Sequence, residues 1–202
     1  MLDRIASIVS RSLDTKQAYF AAHSAEVAHA SHLIAETFNA GGKLILCGNG
    51  GSAADAQHIA GEFVNRFLIT RRALPAIALN TDGGVLTCIA NDTHFDNVFA
   101  RQVEAFGRSA DTLIVISTSG TSPNILRALE QAAHVKMKTI GLLGRDGGAA
   151  AKLCDLALIV EANETPRIQE THNLIAHVLC ELVERQLFPD ASDMNPAKAT
   201  TA

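Results

Sequence analysis

The sequence predicts an α/β protein: a parallel sheet of about five strands flanked by helices as a three-layer sandwich, preceded by two N-terminal helices. Short, unbroken apolar runs at 44–47, 76–79, 112–116, 139–143 and 156–160 read as strands buried on both faces. Helical patterns fill every gap between them, which is the alternation that builds a parallel sheet. The chain has 202 residues, 48% hydrophobic and 19% charged, enough for one domain with a good core.

Taken in order, residues 2–21 and 25–40 are helical in pattern, and together they predict a helical hairpin over 1–41. Val27, Ala30, Ile34 and Phe38 form one stripe of the second helix, with Ser24 as its N-cap and Gly41-Gly42 as its stop. The first strand runs into Gly48-Asn49-Gly50-Gly51-Ser52, and that loop opens a helix carrying His58 and Glu62. The second leads to Asn80-Thr81-Asp82. The third leads to Ser117-Thr118-Ser119-Gly120-Thr121-Ser122, which ends where the helix NILRALEQAA begins. A last helix over 165–186 carries Ile168, Ile175, Val178, Leu182 and Val183 on one side. One domain is therefore expected over 1–188, with 189–202, small and polar with two prolines, as a flexible tail.

A formal net charge of -4 argues against a nucleic-acid surface. No run of about 18 apolar residues suggests a membrane span. Asp3, Arg4 and Arg11 interrupt any signal-peptide core, so a cytoplasmic location is expected. Cys47, Cys88, Cys154 and Cys180 are widely spaced in apolar surroundings and read as buried reduced thiols.

In an open parallel sheet, ligands bind beyond the carboxyl ends of the strands. Glycines in GNGGS allow close backbone approach, and a helix start favours an anion. The hydroxyl loop offers O–H donors, N–H groups and a helix dipole together, although such a loop also serves merely to cap its helix. Gly48-x-Gly50-x-x-Ala53 fits a dinucleotide fingerprint, but the acid expected about 20 residues on is missing, since Asp82 lies too far along. No G-x-x-x-x-G-K-[ST] is present, so a phosphorylated small molecule is the better ligand. His58 and Glu62, one helical turn apart, are either an acid/base or metal-ligand pair or a surface ion pair. Gln169 and His177 are about 80° apart around their helix and can face one site, whereas His172 lies about 140° from His177 and reads as structural. Asp92 and His94 either orient sugar hydroxyls or cap a helix. Arg167 is either a helix-start charge or a partner for an acid, and Arg71-Arg72 reads as solvated.

CGNGGSAADAQH, LPAIALNTD, IANDTHFDNVF, VISTSGTSPN and RIQETHNLIAHVLCELVE together resemble the sugar isomerase (SIS) domain proteins of the phosphoheptose isomerase group, whose fold is Rossmann-like. The resemblance runs from the first helix to about Phe188. It implies ketose–aldose isomerisation of sedoheptulose 7-phosphate to a D-glycero-D-manno-heptose 7-phosphate, the first step toward nucleotide-activated heptose for the lipopolysaccharide core. It implies Glu62 and His177 as the catalytic pair, and one zinc per subunit on His58, Glu62, Gln169 and His177. Substrate contacts implied are Asn49, Gly50, Gly51, Ser52, Glu62, Asn91, Asp92 and Gln169, with Ser117, Thr118, Ser119 and Ser122 holding the phosphate. A homotetramer with sites at subunit interfaces is also implied. The group includes a non-enzymatic relative that binds the DnaA replication initiator, and an isomerase or sensor for another sugar phosphate is a further alternative. The joint presence of Glu62 and His177 favours the enzyme.

Overall fold

The computed structural model describes residues 1–191. Five strands, β1 (Leu44–Gly48), β2 (Ala76–Ala78), β3 (Thr112–Ser117), β4 (Lys138–Gly144) and β5 (Leu156–Val160), form one all-parallel sheet in the order β2-β1-β3-β4-β5. The helices are α1 (Leu2–Asn39), α2 (Gly51–Val64), α3 (Gly83–Asp92), α4 (Ala100–Phe106), α5 (Pro123–His134) and α6 (Thr165–Leu187).

Strand alternation divides the core in two. Leu44 and Leu46 of β1, with Ile114 and Ile116 of β3, face the layer built from α1, α2 and α6. Ile45 and Cys47, with Leu113 and Val115, face the opposite layer, where Val103 of α4 and Ile125, Ala128 and Leu129 of α5 are buried. Because both faces are covered, β1 and β3 are buried at every residue, which is why they read as continuous apolar runs.

The N-terminal segment differs from the hairpin expected over 1–41. It is one helical run, α1, broken only at His23 (φ -123°, ψ 16°). Its arms do not fold back on each other. Arg11 and Ser12 bond Glu164 and Glu170 at the start of α6, and Ser31 accepts a bond from Gln186 at its end. From Ile8 to Ser31, on both sides of the break, α1 thus runs alongside α6 in the same direction. Ser24 is not an N-cap; its hydroxyl donates to the Phe20 carbonyl within the continuing helix. The Gly41-Gly42 stop is present: Gly41 (φ +77°) and Gly42 donate N–H to the Phe38 and Thr37 carbonyls, closing the last turn. Val27, Ala30, Ile34 and Phe38 are all buried.

Of the cysteines, Cys47 and Cys180 are buried, Cys154 is half-buried, and Cys88, on the outer turn of α3, is exposed, contrary to expectation. The expected tail begins with a short 3-10 turn at Pro189–Ala191, and the rest of it lies outside the described residues. Among the described residues, no helix is long and apolar enough to cross a membrane.

Candidate active site

The chain leaves β1 and β3 in opposite directions, so a crevice opens beyond their carboxyl ends, where ligands bind in sheets of this kind. The GNGGS and STSGTS loops meet in that crevice. Asn49 and Asn124 exchange two amide hydrogen bonds of 2.9 Å each, tying the first loop to the start of α5. Asn80 grips Gly48 on the other side, donating to its carbonyl at 2.8 Å and accepting its N–H at 3.3 Å. Ser52 is buried in the first turn of α2.

In the hydroxyl loop, Ser117 accepts the Gly120 N–H at 3.0 Å, and Ser119 accepts from the Thr121 N–H and hydroxyl. Ser122 is the N-cap residue of α5 but makes no side-chain cap, leaving its hydroxyl for another partner. Gly120, at φ +63°, lies so close to the Gly147 carbonyl that a Cβ would stand 1.9 Å from the oxygen, which fixes this position as glycine. A cavity of about 590 Å³ opens beside the loop, lined by Ser119, Thr121, Arg145, Asp146, Glu161 and Asn163. A more apolar cavity of about 490 Å³, around Pro75, Ile77 and Phe106, lies at the opposite end of the strands, away from both loops.

Below the crevice, α2 and α6 run side by side with matched rungs. Gln169 lies directly over Gly51, where a Cβ would come within 2.5 Å of its Nε2. One turn on, Asn173 donates to Asp55 at 3.4 Å. Next, the His58 and His177 Nε2 atoms face each other at 3.0 Å, with Glu62 Oε1 3.7 Å from His58 Nε2. Phe67, in the loop after α2, stacks on the His177 ring with centroids 5.3 Å apart and planes 30° apart. Burial pushes the Asp55 carboxyl up, against the opposing pull of His58.

The structure therefore brings His58, Glu62 and His177 together, and it brings Gln169 to the glycine loop. Gln169 sits eight residues before His177, about 12 Å along the axis, so these are neighbouring groups rather than one cluster. Asn91 and Asp92 stand exposed at the end of α3, bonded to each other. His94 caps the following 3-10 turn, its Nδ1 accepting the Asp96 N–H, so it takes the capping role. His172 is buried against the Leu143 carbonyl, and its pKa is lowered by that burial to about 4. Arg167 is buried and partners Glu170 at 2.7 Å, as well as the Ile8 carbonyl.

Arg71 is not solvated. Its side chain and that of Glu184 are each 1% exposed and paired at 2.8 Å, because Glu184 on α6 needs a cation once it is buried. Only Arg72 of the two is exposed. Asn124, Phe67, Asp55 and Asn173 were not singled out in the sequence. The one available signal was the Pro123-Asn124 start of α5, directly after the hydroxyl loop.

Zinc bonds of about 2.0–2.1 Å in a tetrahedron place two ligand atoms about 3.3 Å apart. The 3.0 Å and 3.7 Å separations around His58 bracket that edge, and two imidazoles with a carboxylate are zinc donors. Among the described residues, however, no group of three or more His, Cys, Asp or Glu is assembled to hold an ion, so Glu62 must close on the imidazole pair to complete one.

The SIS domain family model matches residues 9–144. The phosphoheptose isomerase of Trichlorobacter lovleyi is 50% identical over 186 residues, covering 90% of this chain and 95% of that protein. That of Helicobacter pylori is 55% identical over 154 residues, covering 76% and 80%. The phosphoheptose isomerase structures from Francisella tularensis and Neisseria gonorrhoeae superpose with TM-scores of 0.88 and 0.86 at 39% and 40% identity, each covering 91% of this chain and 98% of theirs.

Proposed function

This chain belongs to the SIS domain family, in its phosphoheptose isomerase group, and from that premise we propose that it interconverts sedoheptulose 7-phosphate and a glycero-manno-heptose 7-phosphate. The observation that carries the reading is the imidazole–imidazole–carboxylate cluster of His58, His177 and Glu62, set two turns below the glycine and hydroxyl loops. Ketose-to-aldose conversion removes a proton from C1, passes through an enediol, and returns a proton to C2 while a hydroxyl proton moves from O1 to O2. Nothing is oxidised or reduced overall. One base near C1 and C2 and one donor at the oxygens suffice.

In this reading Glu62 and His177 share those two roles. The phosphate rests on Ser117, Thr118, Ser119 and Ser122 at the start of α5, and Asn49, Gly50, Gly51, Ser52, Asn91, Asp92 and Gln169 contact the sugar chain. His58, Glu62 and His177 would hold zinc, and Gln169, which lies beside Gly51, would turn down α6 to join them as the fourth ligand. Bound there, zinc would act as a Lewis acid on the substrate oxygens. The sites belong to a homotetramer in the cytoplasm, where the product feeds nucleotide-activated heptose for the bacterial envelope. The reading is tested by incubating the purified protein with sedoheptulose 7-phosphate and following the aldose proton by NMR. Absence of aldose, with and without added zinc, overturns it. Glu62→Gln and His177→Gln are each expected to lower turnover by at least about 100-fold with the fold intact, checked by circular dichroism.

A further inference from the structure

The loop after α2, residues 65–72, packs Phe67 against the core and is tied down by polar bonds as well. Glu184, buried on α6, gathers it with both carboxylate oxygens. Oε1 accepts the Phe67 N–H at 2.9 Å and Arg71 Nε at 2.8 Å; Oε2 accepts the Leu68 and Ile69 N–H groups at 2.8 Å and 3.0 Å. Arg71 then returns to the end of α2, donating Nη2–H to the Glu62 carbonyl and Nη1–H to the Phe63 carbonyl, both at 2.9 Å. One ion pair thus ties together α6, the loop, and the turn of α2 that carries Glu62.

What this arrangement presents to the site is Phe67. Its half-buried ring lies nearly parallel to the His177 imidazole, which His58 meets on its Nε2 edge. An imidazole on a helix has two free torsions. The stacked ring restricts both, and the Nε2 contact then has a defined direction. We propose that Phe67, held in place by the Arg71–Glu184 pair, is a positioning residue that sets the orientation of the His177 imidazole for proton transfer. Phe67 touches no reacting atom; it acts through His177. The functional half of this inference rests on the isomerase reading, whereas the orientational half does not.

The test uses the full chain with Phe67→Leu and Phe67→Tyr. Leucine keeps apolar bulk but removes the aromatic face; tyrosine keeps the face. With histidine-labelled protein, the wild-type His177 ring protons should be shifted upfield by the Phe67 ring current, keep that shift in Phe67→Tyr, and lose it in Phe67→Leu. In turnover, Phe67→Leu should lose about tenfold or more in kcat with KM within about twofold, and Phe67→Tyr should restore kcat to within about twofold of wild type. Unchanged His177 resonances in Phe67→Leu overturn the inference. So does wild-type kcat in that variant, measured alongside an active wild type. An inactive wild type sinks the isomerase reading instead, and the ring-proton shift then decides the orientational claim alone. Glu184→Gln should move the His177 resonances in the same sense as Phe67→Leu; where it fails to fold, the Phe67 pair carries the test.

Discussion

Two single residues make sharp tests because structure and chemistry pull their effects apart. Gly51 opens α2 with ordinary helical geometry, so alanine is locally welcome there, by up to about 1 kcal/mol in a helix. Its Cβ, however, would stand 2.5 Å from Gln169 Nε2, and the amide would have to turn away from the loop. Gly51→Ala is therefore expected to keep stability within about 1 kcal/mol of wild type while lowering kcat/KM about tenfold or more, measured by thermal unfolding beside turnover. Wild-type turnover would mean that the Gln169 orientation is not used. His172 tests pH instead. Burial lowers its folded pKa from 6.5 to about 4, so the fold holds it neutral, with Nε2–H donated to the Leu143 carbonyl. Between those two values the unfolded chain binds the proton and the folded one does not. Its stabilising effect is complete above about pH 6.5 and lost as pH falls through about 4, about 3 kcal/mol over the window. Urea unfolding at pH 7.5 and 4.5 should register most of that loss, and His172→Gln should flatten it.

Among the elements, burial separates ion pairs of similar length. Arg185–Glu181 on the exposed face of α6 is 2.6 Å long with both side chains about half exposed, a setting in which such pairs contribute about 0–1 kcal/mol. Arg71–Glu184, slightly longer but buried, leaves an uncompensated guanidinium when broken. Glu184→Gln should cost about 3–5 kcal/mol, whereas Glu181→Gln should cost less than about 0.5 kcal/mol, read from chemical denaturation of each variant. The same contrast explains what could be read from the chain. The five strands were legible because burial on both faces leaves unbroken apolar runs, and the glycine and hydroxyl loops because turn chemistry is local. Arg71 looked solvated because its partner lies 113 residues away, and nothing beside it in sequence marks it as buried. Asn124 escaped notice for a similar reason, since its amide partner is 75 residues distant. The break at His23 was visible as a change of pattern, but whether the chain bends or reverses there is decided by α6, which offers one long face to both arms of α1.

For the whole molecule, the proposed assembly rests on the outer arm of α1. Leu2, Ile5, Val9 and Leu13, spaced three or four apart, lie along one face and are 81%, 52%, 50% and 60% exposed, while Arg11 on the opposite side bonds Glu164 at the start of α6 and Ser12, at the edge of the stripe, bonds Glu170. An apolar stripe of this kind on an otherwise polar arm belongs against another apolar surface. At the low end of about 1.5 kcal/mol per buried side chain, the eight contributed by two such arms offer about 12 kcal/mol, comparable to the association cost of about 4–15 kcal/mol. Pairing of two arms is then marginal, and four arms sharing one core shift the balance toward assembly, which is the arrangement a tetramer permits. Ile5→Glu with Val9→Glu removes half the stripe and sets like charges against each other. Light scattering at micromolar concentration should give four chains for wild type and a smaller species for the double variant. If the sites lie between subunits, turnover should fall with the mass, although both positions are far from Glu62 and His177. A wild type that remains a single chain would refute the assembly. A double variant that loses mass and keeps full turnover would confine each site to one chain.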